Sequence, residues 1–212
     1  MAYRAVIFDI GGVVVGSPLH AIAAYERDLG IPAGFINRVV FETMPHGAWS
    51  RLERGELGLE EFYPAFESDC AAGGQRISAR DMMMRMAEAT VPRAAMLDAI
   101  AAIRRNGLLA GAVTNNWIAE DGGTSALRPH FDVFIESSVV GMRKPDPRIY
   151  QLACDQLTVT PSEAIFLDDI GMNLKAARAL GMTTIKVDTP EKALDELQAA
   201  LGFRLTEVRS SQ

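Results

Sequence analysis

Cysteine is scarce in this chain: Cys70 and Cys154 are the two in 212 residues, far apart, with no Cys-x-x-Cys pair and no histidine pattern beside either. Neither a disulfide framework nor a zinc-ligand set is therefore expected to organise the fold, and both residues read as ordinary reduced thiols. An excess of positive charge is missing too. The 21 Lys and Arg stand against 27 Asp and Glu, a net charge of −6, with no clustered basic stripe. Binding along nucleic acid draws its affinity from counterion release at a basic face, so it is not expected here. No apolar run approaches the roughly 18 residues that a membrane span needs. Arg4 before the first apolar run imitates the start of a secretory leader, but Asp9 interrupts that run and no small-residue cleavage site follows. Internal repeats, low-complexity tracts and long linkers are absent as well. What the chain has in quantity is apolar residues, 49% of the total, ample for a packed interior at this length. The expectation is a cytoplasmic protein, monomer or homodimer, without a nucleic-acid or membrane partner.

Short apolar, partly β-branched runs occupy residues 5–8, 108–113, 131–135, 164–167 and 183–187. They need no alternation, because parallel strands are covered on both faces. Helical segments separate several of them. Met96, Ile100 and Ile103 recur at i, i+4 and i+7, Arg104 and Arg105 sit where a helix C-terminus favours cations, and Gly107 is placed to close the helix. Asp146 and Pro147 have the order of an N-cap and a first helical residue. Thr160 to Glu163 have the spacing of a capping box, and a further helical segment ends at Gly181. Strand followed by helix, repeated, predicts a doubly wound parallel α/β sheet with right-handed crossovers. Residues 17–90 break the rhythm with helical patterns and no strand, until Pro92 restarts the alternation. The predicted organisation is an α/β core, residues 1–16 and 91–212, with a helical cap domain, residues 17–90, inserted after the first strand.

In an open α/β sheet, ligands bind beyond the carboxyl ends of the strands, near the topological switch point. Polar residues of this chain fall there in order. Asp9 ends the first strand, Thr114-Asn115-Asn116 the second, Asp168-Asp169 the one at 164–167, and Lys144 lies in the connection before it. Each alone has an ordinary alternative. Asp9 before Gly11 and Gly12 suits a turn, Thr114-Asn115-Asn116 suits a turn bonded to its own backbone, the doublet suits a helix cap, and Lys144 suits a solvated surface. Adjacent carboxylates repel unless a cation or hydrogen-bond donors compensate, however, so the doublet leans towards metal. Joint occurrence at successive strand ends is what points to one shared site.

The order "FDIGGVVV", "AVTNN", "GMRKPDP" and "FLDDIGMNLKAARALGM" resembles the four motifs of the haloacid dehalogenase (HAD) superfamily of hydrolases, most of whose members are phosphatases. Within it the nearest resemblance is to the phosphatase domain at the N-terminus of soluble epoxide hydrolase, strongest over residues 113–187 and loose in the cap. No epoxide-hydrolase domain follows in the 212 residues, so epoxide chemistry is not expected. The resemblance implies a HAD-like, Rossmann-like core and Mg²⁺-dependent hydrolysis of a small phosphorylated metabolite. It makes Asp9 the nucleophile, which becomes an aspartyl-phosphate later hydrolysed by water. It places Mg²⁺ among the Asp9 carboxylate, the Gly11 backbone carbonyl and Asp169. Asp168 then stands behind as a supporting carboxylate, and Asn173 steadies the acidic loop. Thr114 and the backbone of Asn115 bind the transferring group, while Lys144, both catalytic and substrate-binding, offsets charge on phosphate and on Asp9.

One position departs from the family pattern. Where these phosphatases usually carry a second Asp that protonates the leaving group and then activates water, this chain has Gly11. Losing a general acid typically costs about 10²–10⁴-fold in rate. Three explanations stay open: a cap residue such as His46 or Glu56, or an ordered water, replaces it; the substrate has a good leaving group; or the protein binds phosphate and turns over poorly. Two readings stand beside the phosphatase: a 2-haloacid dehalogenase using Asp9 on carbon without metal, and a phosphate-binding or interaction protein. In the cap, Trp49, Arg51 and Arg54 share a helical segment that faces either the core or solvent. Met82, Met83, Met84 and Met86 read as packing, and Trp117 as a packing residue at the pocket edge.

Overall fold

The computed structural model describes residues 2–118 and 123–205. Five parallel strands form one sheet in the order β3-β2-β1-β4-β5: β1 (Ala5–Phe8), β2 (Leu109–Thr114), β3 (Val133–Glu136), β4 (Ala164–Asp168) and β5 (Thr183–Lys186). The central β1 is in register with both neighbours, Phe8 lying between Ala112 and Leu167. Strand order reverses between β1 and β4, which opens a crevice at their carboxyl ends.

Burial on both faces explains the unbroken apolar runs. Val6, Phe8, Ala112 and Leu167 pack on one side against Met96, Ile100 and Ile103 of α6 (Ala94–Arg105) and Leu194 and Leu197 of α10 (Pro190–Leu201). Ala5, Ile7 and Phe166 pack on the other against Ile149, Tyr150 and Leu157 of α8 (Pro147–Leu157) and Leu174 of α9 (Gly171–Ala179). The sheet is doubly wound, as the alternation of elements predicts.

Strand ends differ from the apolar runs for local reasons. Leu108 N–H still donates to Ile103 O at 3.2 Å in the closure of α6, so β2 begins one residue later. Phe131 N–H closes a turn on Arg128 O, which delays β3 to Val133. Both polar starts behave as read: the Asp146 carboxylate accepts from Arg148 N–H at 2.9 Å, and Thr160 with Glu163 makes a reciprocal capping box. That box opens a single 3₁₀ turn leading into β4, not an α-helix.

Between β1 and α6 the chain runs through α1 (Pro18–Leu29), α2 (Phe35–Glu42), α3 (Ala48–Glu53), α4 (Leu59–Ala72) and α5 (Ala79–Ala89). These helices share their own apolar cluster, built on Ile22, Phe35, Trp49, Phe62, Phe66 and Met82. Met83 and Met86 join it as packing, whereas Met84 is exposed. The two connections to the sheet pair with each other. Gly16 N–H donates to Val91 O at 3.0 Å and Arg93 N–H to Val14 O at 2.9 Å, around an antiparallel Val15–Pro92 bridge. The helical insertion thus stands on a two-stranded stem beside the carboxyl end of β1.

Candidate active site

Directly after β1 the chain makes one wide turn over Ile10–Val14, closed by Val15 N–H to Ile10 O at 3.0 Å. Asp9 caps it: its Oδ1 accepts from Ile10 N–H at 2.6 Å. Arg93, at the returning stem, clamps the same turn by donating to Gly12 O at 2.6 Å and Val13 O at 3.1 Å. Gly12 has φ +77, and a Cβ there would lie 2.1 Å from Asp169 Oδ2. Glycine is required twice over, for the backbone and for the approach of that carboxylate.

Parallel topology brings the remaining residues to this turn. Lys144 is buried, with Nζ 2.7 Å from Asp9 Oδ1 and 2.8 Å from Asp168 Oδ2. Its backbone is locked to β2's extension: Asn115 Nδ2 donates to Lys144 O at 3.0 Å, and Lys144 N–H donates to Asn115 Oδ1 at 2.8 Å. Asp168 is fully buried and also accepts from Ile170 N–H at 2.7 Å and from Asn173 Nδ2 at 3.0 Å. Thr114 is buried at the end of β2 and faces the same cavity as Gly11, Asn173 and Asp169. Asn116 also lines the cavity, its side chain held in a network with Glu136 (2.8 Å), Ser137 and Ser138 that fixes the end of β2 against β3.

One carboxylate oxygen from each of Asp9, Asp168 and Asp169 lies within 4.8 Å of the other two. Burial pushes the Asp9 carboxyl well above its ordinary range; Lys144 pulls it down, and Asp168 and Asp169 push it further up. Burial would lower Lys144, but Asp168 and Asp9 outweigh it and hold the ammonium charged. Asp169, without a cationic side chain in contact among the described residues, is pushed up to about 6 by burial and then by Asp168. One ammonium serves two carboxylates and a third is left over. An all-oxygen donor set with this surplus negative charge, and with room made by Gly12, fits a hard divalent cation such as Mg²⁺.

Above the floor is a cavity of about 570 Å³, roofed by apolar residues of the insertion that include Ile22, Phe41, Met44, Trp49 and Met86. Trp117 edges it from the core and packs on Trp49, ring centroids 6.3 Å apart. Several expectations for the insertion are corrected here. Neither His46 nor Glu56 is among the lining residues. His46 is exposed, and Glu56 pairs with Arg54 at 2.6 Å and Arg51 at 3.7 Å. No replacement for the missing acid comes from them, and neither arginine lines the cavity. Two residues passed over in the sequence do so instead: Glu53 of α3 and Arg143, beside Lys144, which form a salt bridge across the cavity wall.

A model of the haloacid dehalogenase-like hydrolase family matches residues 3–181. The chain is 42% identical over 209 residues to mouse acyl-CoA dehydrogenase family member 10, covering 96% of this chain and 20% of that protein. It is 36% identical over 224 residues to pig bifunctional epoxide hydrolase 2, covering 97% of this chain and 40% of that protein. The chain therefore spans well under half of either relative. A sesquiterpene phosphatase of Aspergillus oryzae is similar along its length, 27% identical over 204 residues, with 94% of this chain and 97% of that one covered. Among solved structures, a HAD-family enzyme of Bacteroides thetaiotaomicron in complex with magnesium and inorganic phosphate shares the fold, with TM-score 0.62, 18% identity, and 87% and 94% of the two chains covered. This chain belongs to the haloacid dehalogenase-like hydrolases, a family in which its relatives include phosphatases.

Proposed function

We propose that this chain is a Mg²⁺-dependent phosphatase that cleaves phosphomonoesters of small organic metabolites through an aspartyl-phosphate on Asp9. Residues 17–90 serve as its cap domain over a core of residues 1–16 and 91–212, and a cytoplasmic location suits such substrates. The observation that carries this reading is the carboxylate trio of Asp9, Asp168 and Asp169, with Asp9 and Asp169 lining the cavity and Asp168 buried behind them. A dehalogenase would use the same nucleophile without a cation and has no use for three converging carboxylates.

Among the described residues, Asp9 Oδ1 takes both the hydrogen bond from Ile10 N–H and the ion pair with Lys144, which leaves Oδ2 to the substrate or the cation. A carboxylate oxygen of Asp9 forms the new bond to phosphorus as the ester P–O bond breaks, and the departing oxygen takes a proton. Water then attacks phosphorus, and the Asp9 carboxylate leaves. Thr114 and the backbone of Asn115 hold the phosphoryl oxygens, and Lys144 offsets their charge. Asp168 and Asn173 keep that ammonium in place. Mg²⁺, held by Asp9, the Gly11 carbonyl and Asp169, would supply the remaining positive charge. A panel of phosphate esters assayed with Mg²⁺ and with EDTA tests the reading: phosphate release that needs the cation supports it, and release indifferent to EDTA opposes it.

With His46 and Glu56 outside the cavity, the leaving group takes its proton from water, so esters with weakly basic leaving groups turn over fastest. Gly11 has ordinary backbone angles, φ −64 and ψ 128, and a Cβ there would meet the Pro18 ring at 3.5 Å, normal contact. Gly11→Asp should therefore fold and raise turnover of alkyl phosphates about 10²-fold, with little change for 4-nitrophenyl phosphate. Equal changes on both substrates would show that the new carboxylate is not acting as an acid. Gly12→Ala should weaken Mg²⁺ binding about 10–100-fold by displacing Asp169, as calorimetric titration would record.

A further inference from the structure

The salt bridge between Glu53 and Arg143 is partly sealed inside the cavity and joins the insertion to the core; the side chains are 9% and 16% exposed. Both Glu53 oxygens are used: Trp49 Nε1 donates to Oε1 at 2.9 Å and Arg143 Nε to Oε2. Arg143 Nη1 also reaches Met44 Sδ at 3.1 Å and Ser50 Oγ at 3.4 Å. This guanidinium is next in sequence to the lysine that would meet the phosphate, yet it is turned onto a carboxylate of the insertion. Among the described residues lining the cavity, the charged side chains are Asp9, Glu53, Asp169, Arg143 and Lys144. Lys144 is committed to Asp9 and Asp168. Arg143 is thus the lining cation able to pair with a second negative group on a substrate, and Glu53 holds it.

Building on the phosphatase reading, we propose that Glu53 is a specificity-determining residue that neutralises Arg143 and so sets the cavity against leaving groups carrying a second anionic charge. A guanidinium with its carboxylate partner removed would be free to bind a substrate carboxylate. Desolvated within the cavity, a second anion meets no free cation among the described lining residues of the parent protein.

The test is a pair of inhibition constants, for phosphoglycolate and for ethyl phosphate, measured against hydrolysis of 4-nitrophenyl phosphate. These compounds differ by one carboxylate, so general damage to the site moves both constants together. Glu53→Gln should shift their ratio about tenfold in favour of phosphoglycolate, and adding Arg143→Met should remove the gain. Arg143→Met alone should shift the ratio the opposite way, since Glu53 is then unpaired, which keeps the proposal testable if Glu53→Gln does not fold. A ratio within twofold of the parent in Glu53→Gln, or a gain that survives Arg143→Met, overturns the proposal while the phosphatase reading stands. Absence of Asp9-dependent hydrolysis of 4-nitrophenyl phosphate in the parent protein overturns both.

Discussion

Asp9→Asn should leave a folded protein whose phosphate release is at least about 10⁴-fold slower than the parent's, the scale expected when a covalent nucleophile is removed. An amide fills the same space and still accepts from Ile10 N–H through its oxygen, so the wide turn has no reason to open. What it lacks is the anion. Asp9 is 6% exposed, and burial raises its carboxyl while Lys144 pulls it back down; the neutral amide is too weak a nucleophile to take the phosphoryl group. The measurement is turnover of 4-nitrophenyl phosphate with Mg²⁺, alongside a circular-dichroism melt. Less than tenfold loss in a variant with an unchanged melt would move the chemistry away from Asp9.

Lys144→Met should damage stability as well as activity. Its ammonium lies between Asp9 Oδ1 and Asp168 Oδ2, at 2.7 and 2.8 Å, with the side chain 1% exposed. Removing one partner of a buried ion pair leaves uncompensated charge, a cost of about 3–5 kcal/mol. For a chain of this length that corresponds to a fall of roughly 6–20 °C in melting temperature. Added Mg²⁺ should recover part of the loss, because a divalent cation bound to the same carboxylates stabilises the folded state by mass action. A melt within 2 °C of the parent would mean that these carboxylates take up protons at little cost once the lysine is gone.

The sheet and the site floor were legible in the sequence for a common reason. A parallel strand buried on both faces must be apolar along its length, as Ala5–Phe8 is, and polar residues at its carboxyl end then stand out. Because all five strands point the same way, residues as far apart in sequence as Asp9, Thr114 and Asp169 line one cavity. Local chemistry was legible too: Asp146 caps α8 with its own side chain, a bond spanning two residues. The cavity roof was not. Helix α3 has six residues, too few for a periodicity to show which face is inward, so Arg51, Arg54, His46 and Glu56 drew attention that belonged to Glu53. The partner of Glu53 is Arg143, ninety positions away in sequence, and nothing local to either residue announces the pairing. Arg143 stood in plain view inside "GMRKPDP", overshadowed by the lysine beside it.

Covalent capture of phosphate on Asp9 is the most direct trial of the central idea. Protein mixed with 4-nitrophenyl phosphate and Mg²⁺, quenched in acid during turnover and digested, should yield a peptide phosphorylated at Asp9, lost on treatment with hydroxylamine and never formed by Asp9→Asn. Sustained turnover with no such adduct at any quench time, in protein where burst kinetics also show none, would mean that water attacks the ester directly and that Asp9 is not the nucleophile.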